Sequence, residues 1–200
     1  MNGESKDASD EKTSKIIKNG HKKKKKYRKN DPNTRYDDDG TRYICCAIPY
    51  IINSDNGISI LMISSPTQGD WLFPGGGWEK NETQQECAKR ESFEEAGIKG
   101  EITRKLFDKC IHYISRKGNH NKMWAFTMKI TELATKWDEC HKRKRKFFTI
   151  NEVDQMLTPK RLPKFGKVWL KAKEYFDTKY NKKINIISNN NNNTNNNNSS

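Results

Sequence analysis

The sequence predicts an α/β domain, a mixed sheet layered with helices and set between two disordered tails. Three observations lead there. Between Tyr43 and Tyr180, short aliphatic and aromatic runs of strand length alternate with a few helical stretches, a mixture that suits an α/β or α+β layered domain better than a helical bundle. Outside that region the composition changes: the N-terminal part carries Lys22 to Lys26 without periodicity, and residues 189–198 are asparagine except for Thr194. The hydrophobic and charged fractions are each 32% and the mean hydropathy is -1.09, too polar for 200 residues packed from end to end. The expected organisation is a disordered basic arm at 1–38, one domain at 39–182 and an Asn-rich disordered tail at 183–200.

The elements follow in order. Tyr43 to Ile52 and Ile58 to Ile63 flank Asn53-Ser54-Asp55-Asn56-Gly57, a turn composition, and read as paired strands. Pro49 suggests that the first of them lies at an edge or carries a bulge. Trp71-Leu72-Phe73 is a short strand running into Pro74 and three glycines. Thr83-x-x-Glu86 forms a capping box that opens a helix, and Gly97 ends it as a left-handed cap. Strands are expected near Ile98 to Phe107, Met123 to Ile130 and Phe147 to Ile150. A short helix near Asn151 to Leu157 and a longer one near Phe165 to Tyr180 complete the order. No internal repeat is present.

Several classes are excluded. The longest nearly apolar run, Tyr43 to Ile52, is far shorter than the roughly 18 residues of a membrane span, and the first twenty residues lack the apolar stretch of a secretory signal. A cytoplasmic protein without a membrane partner is expected, with the nucleus as a further address if Lys22 to Lys26 acts as a targeting signal. That run also suits a solvated solubility tail or polyanion attraction. The cysteines Cys45, Cys46, Cys87, Cys110 and Cys140 are odd in number, with no Cys-x-x-Cys pair and no ligand-spaced histidines, which argues against disulfides and zinc. The formal charge is +14. Residues 1–30 hold eleven Lys or Arg against four acids, or +7, so 14 less 7 leaves +7 on residues 31–200. A basic body implies a polyanionic partner, and nucleic acid and inositol polyphosphate both qualify.

The densest chemical signal is Gly75-Gly76-Gly77-Trp78-Glu79-Lys80-Asn81-Glu82, followed by Arg90-Glu91-Ser92-Phe93-Glu94-Glu95-Ala96-Gly97-Ile98. At about 100° per residue, Glu91, Glu94 and Glu95 share one helical arc, flanked by the small Cys87 and Ala88, with Glu86, Lys89 and Arg90 on other sides. The acids are therefore expected to face the protein body or a cleft. Like charges four apart cost an isolated helix a few tenths of a kcal/mol, roughly, and Glu95 also opposes the negative helix end. A hard divalent cation compensates naturally, because magnesium prefers carboxylate oxygens, retains waters and bridges phosphates. Arg90 is within reach of Glu86 and Glu94. A charge run on a helix is most often a solvated face, but the glycine loop and the spacing favour a site.

These residues resemble the Nudix box: a glycine, five residues, a glutamate, seven residues, then Arg-Glu, two residues, Glu-Glu, one residue, Gly and an aliphatic residue. Gly76, Glu82, Arg90, Glu91, Glu94, Glu95, Gly97 and Ile98 meet those positions. Ser92 departs from the usual aliphatic or small residue. The resemblance implies a Nudix-type α/β/α sandwich with a mixed sheet and hydrolysis of a diphosphate linked to a further group. By position, Glu91, Glu95 and the Gly75 carbonyl would hold magnesium, or manganese in its place. Glu94 would be the general base, with Gly76, Glu82, Arg90 and Gly97 supporting.

The flanks, Ile63-Ser64-Ser65, Trp71 to Glu79, and Trp137 followed by Arg143-Lys144-Arg145-Lys146-Phe147-Phe148, look like the diphosphoinositol polyphosphate phosphohydrolases. That resemblance implies removal of the β-phosphate from diphosphoinositol polyphosphates, with diadenosine polyphosphates as further substrates. By position it places Arg42, Ser64, Ser65, His120, Lys122, Arg143 and Arg161 around the phosphates. Pro66 departs from the basic residue common there, and Lys117 to Lys122 matches loosely. Two other readings stand beside it. One is a Nudix hydrolase of capped RNA, drawn by the basic arm and Lys142 to Lys146. The other is a catalytically silent polyphosphate-binding module, which would be expected to have lost box glutamates. Trp71 and Trp78 suit either core or cleft border.

Overall fold

The computed structural model describes residues 32–66, 69–115, 117–157 and 163–181. Strand β1 (Arg42–Ile52) and β2 (Ile58–Ser64) form the expected hairpin, with Tyr50 opposite Ile60. After β3 (Trp71–Leu72) and β4 (Gly75–Gly77) comes helix α1 (Gln84–Ala96), then β5 (Ile98–Lys105), β6 (Ile111–Ile114), β7 (His120–Leu133) and β8 (Arg145–Thr149). Helices α2 (Ile150–Met156) and α3 (Pro163–Phe176) follow, the last running into a π-helical turn at Asp177–Asn181.

The sheet is mixed, in the order β3-β2-β1-β7-β5, with β4 also on β1, β6 on β7 and β8 on β2. Its centre is the parallel pair β1 and β7, registered from Arg42 opposite Asn121 to Tyr50 opposite Lys129. Residues Ile44 to Tyr50 are all buried. That continuous run reflects a strand covered on both faces, where the two-residue alternation no longer shows as polarity. The alternation survives as a choice of layer. Ile44, Cys46, Ile48 and Tyr50 join the cluster built on Trp169 and Phe176 of α3, whereas Cys45 and Ala47 join Cys87, Ala88 and Ala96 of α1. Helices thus pack on both sides of the sheet, which is the α/β/α arrangement. Among the described residues no helix is long and apolar enough to cross a membrane.

Four expectations need correction. Pro49 lies in the central strand, paired with Met128 of β7. On its other side β1 pairs with β4 at Ile44–Cys46 and with β2 only from Tyr50. The Ala47 N–H, which points to that side, bonds the Pro74 carbonyl at 3.1 Å, so the proline nitrogen two residues on falls between the two ladders, where no donor is needed. Strands β4 and β6 were not foreseen: three glycines and Ile-His-Tyr-Ile carry little pattern, and it is β1 and β7 that recruit them. Ile150 opens α2 instead of ending a strand, because Thr149 caps that helix in a capping box with Glu152. Finally, Thr34 and Tyr36 bridge to Glu79 and Arg42, so residues 34–37 belong to the domain and not to the arm. Residues 1–31 of the arm, the Asn-rich tail and Arg161 lie outside the described residues.

Candidate active site

Helix α1 is set by its caps. Thr83 accepts the Glu86 N–H at 3.2 Å and the Glu86 carboxylate accepts the Thr83 N–H at 2.7 Å, which consumes Glu86 and removes it from the reach of Arg90. At the other end Gly97 adopts φ 62°, and its N–H closes on Phe93 at 2.8 Å. Between the caps, Cys87, Ala88 and Ser92 are buried against the sheet. The Ser92 hydroxyl donates to the Ala88 carbonyl at 2.6 Å, so this departure from the usual residue is satisfied one turn back.

The same helix face carries Glu91 and Glu95, whose side chains are each 12% exposed. Glu94, at 38%, stands further out. Glycines bring the preceding strand onto these acids. The Gly75 N–H donates to Glu95 Oε2 at 2.8 Å. A Cβ on Gly76 would fall on the Glu91 carboxylate, well inside van der Waals contact. Because Gly76 pairs with Cys45 in the antiparallel ladder and the N–H of Gly75 turns away to Glu95, the Gly75 carbonyl faces the same flank as Glu95.

Two guanidinium groups hold the carboxylates. Arg90 donates to Glu82 through Nε at 3.0 Å and Nη2 at 2.8 Å, to Glu91 at 3.0 Å, to Glu94 at 3.2 Å and to the Gly77 carbonyl at 2.8 Å. Glu82 is in turn fixed by the Glu79 N–H at 2.8 Å. Burial opposes ionisation of Glu82, but the Arg90 fork and that N–H outweigh it and hold its carboxyl below the usual range. Arg143 pairs with Glu95 and, at 2.5 Å, with Glu139. Even so, burial pushes Glu91 up to about 6 and Glu95 up to about 7, against the partial relief given by Arg90 and by the Gly75 N–H with Arg143.

Such a pair has the donor chemistry for a hard cation: two desolvated carboxylates whose charged forms lack full compensation, beside a backbone carbonyl on the same flank. Among the described residues no three His, Cys, Asp or Glu side chains close into a cage. An open site with one or two carboxylates is the arrangement that magnesium uses, since it keeps waters and takes further oxygens from substrate phosphates.

The residues expected around the phosphates are distributed unevenly. Arg143 is at the carboxylates, and it also reaches the Ser64 carbonyl at 3.4 Å, while the Ser64 hydroxyl accepts the Lys144 N–H at 2.9 Å. Ser65 follows, its N–H bonded to Asp70 at 2.7 Å. Arg42 lies under the glycine loop, where a Cβ on Gly77 would meet its Nη2 at 2.6 Å, and its charge is felt at Glu91. Its Nε is buried with no hydrogen-bond partner. Lys122 is engaged by Asp37, over the ring of Tyr43 at 5.7 Å. His120 lines a separate recess with Thr41, His112, Tyr113, Ile114 and Asn121. Thus Arg143, Ser64 and Arg42 gather near the glutamates, and Lys122 and His120 do not touch them. Trp71 and Trp78 are half-buried, packed on the two core clusters.

Sequence reasoning missed Glu139, Trp137 as a hydrogen-bond donor and the role of Arg145. One signal was available: the last turn of α1 contains no basic residue, so its carbonyls had to find a partner elsewhere. The Lys142 to Lys146 cluster, which suggested RNA, is largely spent within the fold, as Lys142 pairs with Glu139, Arg143 with Glu95 and Arg145 with backbone carbonyls.

Among curated proteins, the chain is 38% identical over 104 residues to Nudix hydrolase 12, mitochondrial, of Arabidopsis thaliana, covering 48% of this chain and 51% of that one. It is 30% identical over 125 residues to diphosphoinositol polyphosphate phosphohydrolase 3-alpha of Mus musculus, covering 61% and 73%. The matched region therefore spans from about half to about three quarters of the length of these relatives. Among solved structures, a NUDIX hydrolase from Nitrosomonas europaea superposes with a TM-score of 0.54 at 17% identity, covering 70% of this chain and 91% of that one. That likeness concerns the fold. With the box glutamates gathered at one glycine-lined flank, and with the NUDIX domain family model matching residues 44–173, the chain belongs to the Nudix family.

Proposed function

We propose that this protein is a magnesium-dependent hydrolase of pyrophosphate bonds in polyanionic small molecules, removing the β-phosphate of diphosphoinositol polyphosphates and cleaving diadenosine polyphosphates. The observation that carries the reading is the pair of buried carboxylates, Glu91 and Glu95, held between a glycine strand and two guanidinium groups. The diphosphoinositol polyphosphate phosphohydrolase among the relatives and the positions of Ser64 and Arg143 support the choice of substrate.

Each residue has a physical part. Glu91, Glu95 and the Gly75 carbonyl would hold magnesium, which when bound supplies neutralisation of phosphate oxygens and acidification of a coordinated water. Glu94, the most solvent-facing of the three acids, takes the proton from the attacking water as its oxygen bonds to phosphorus. The bond from that phosphorus to the bridging oxygen breaks, releasing orthophosphate and the shortened inositol phosphate from a diphosphoinositol polyphosphate, or two nucleotides from a diadenosine polyphosphate. Arg90 bridges Glu94 and Glu91 through one nitrogen and orients both. Arg143 and Arg42 would turn remaining guanidinium donors to phosphate oxygens, with Arg143 also held by Glu95 and Glu139.

The test is a substrate panel, run with and without magnesium, of a diphosphoinositol polyphosphate, diadenosine hexaphosphate and capped RNA. Orthophosphate release from the first, dependent on magnesium, is the expected outcome. Preference for the cap would reject the substrate assignment, and tight polyphosphate binding without turnover would reject the hydrolase.

A further inference from the structure

An α-helix leaves its last four carbonyls without partners inside the helix. At the end of α1, Phe93 O takes the Gly97 N–H, and the three carbonyls after it, with that of Gly97, are taken up by the segment that joins β7 to β8 and by Arg145 at the start of β8. Glu94 O accepts the Glu139 N–H at 3.1 Å, and Glu95 O accepts the Trp137 indole N–H at 3.1 Å. Ala96 O accepts Arg145 Nη1 at 2.7 Å. Gly97 O accepts the same nitrogen at 3.1 Å and the Ala134 N–H at 2.8 Å. The other arm of the Arg145 fork donates to Ala134 O at 2.7 Å, and the guanidinium lies over the Trp137 ring at 4.2 Å.

Arg145 thus faces the negative end of a helix that has no basic residue in its own last turn. Among the described residues it forms no ion pair, so its charge serves the carbonyls and the indole face. The fit is close, because a Cβ on Gly97 would come within 2.8 Å of Trp137 and 2.9 Å of Arg145. Trp137 and Glu139 hold the very peptides whose side chains are the candidate base and the candidate ligand. Fixing the Glu95 carbonyl fixes its Cα, and so the point from which its carboxylate reaches the site.

We infer that Trp137 and Arg145 are positioning residues, which from the β7–β8 segment and the first residue of β8 lock the last turn of α1 and thereby set the places of Glu94 and Glu95 for the reaction proposed above. Neither side chain touches reacting atoms. The inference rests on that reading for its catalytic content, and the geometry of the lock is independent of it. A displacement of about 1 Å in a reacting group can cost about a hundredfold in rate.

The informative variant is Trp137→Phe, which keeps a ring beneath Arg145 and beside Gly97 and deletes the N–H to Glu95. Arg145→Met keeps the stem without the donors, and Arg145→Lys restores the charge and part of the donor set. In each full-length protein, kcat and KM for diadenosine hexaphosphate with magnesium are measured, together with Mn2+ binding to the substrate-free protein by calorimetry and Tm. The expected result for Trp137→Phe is a kcat about tenfold lower at unchanged KM, Mn2+ binding weakened by about tenfold and Tm within a few degrees of the parent. Arg145→Met shows the same pattern more strongly, and Arg145→Lys recovers part of it. Wild-type kcat and Mn2+ affinity in both Trp137→Phe and Arg145→Met would overturn the inference, as would a raised KM at unchanged kcat. If the wild-type protein turns over no substrate of the panel, the hydrolase reading fails, and the Mn2+ titration still decides the role of the lock.

Discussion

Glu91 and Glu95 illustrate a site built at the expense of stability. Burial disfavours their charged forms, raising the two carboxyls from 4.5 to about 6 and about 7. The folded protein therefore binds these protons more tightly than the unfolded chain does, and the stability that these two carboxyls contribute is full below their ordinary value of 4.5 and is lost as the pH rises through their folded values. In metal-free buffer their contribution makes Tm fall as the pH rises from about 4.5 to about 7 and level off above, and magnesium should flatten the decline; a Tm that rises between about 6 and about 7 would contradict the assignment. Neutral replacement removes the charge but keeps the shape. Glu91→Gln and Glu95→Gln are expected to stay folded by circular dichroism and to lose about three orders of magnitude or more in turnover. Gly76→Ala tests the same point from the facing strand. Its Cβ would displace the carboxylate at the far end of the Glu91 side chain, so activity should fall by about a hundredfold while the urea midpoint moves less.

For the elements, legibility followed local chemistry. Helix α1 could be read to the residue because Thr83, Glu86 and Gly97 each state a backbone geometry in their own side chains, and because three acids on one arc need a shared environment. Strands β4 and β6 could not, since three glycines say nothing of pairing until β1 lies beside them. Within the candidate site, the shared face of Glu91 and Glu95 was legible from helical spacing, while the roles proposed for the box glutamates came from the resemblance to the Nudix box. Glu139 and Arg145 were not, because a loop acid and a strand arginine acquire their roles only when the β7–β8 segment folds over α1. Pro49 was misread for the same reason: its missing donor is harmless only in the interval between two partners of β1. Gly97 combines a positive φ with tight surroundings, so Gly97→Ala should cost about 1–3 kcal/mol in chemical denaturation, appreciably more than an alanine at an ordinary cap.

Across the molecule, the functional unit begins earlier than composition suggests. Arg35 donates to the Glu79 carbonyl at 2.9 Å and lies over Trp78 at 4.6 Å, and Asp37 ties Tyr43 to Lys122. A truncation that starts at Asp31 should retain full activity on the preferred small substrate, whereas one that starts at Asp39 should lose several degrees of Tm; equal Tm values for the two would show that residues 34–37 are dispensable for stability.

The central parallel ladder has a consequence for biosynthesis. Arg42 to Tyr50 must wait for Asn121 to Lys129, which leave the ribosome long afterwards, so the most apolar strand of the chain emerges without its principal neighbour. Pairing across such a separation is slow, and an unsatisfied strand edge in the meantime invites association between nascent chains. Fragments ending before His120 should therefore accumulate as aggregates, and chaperone dependence during synthesis should centre on β1.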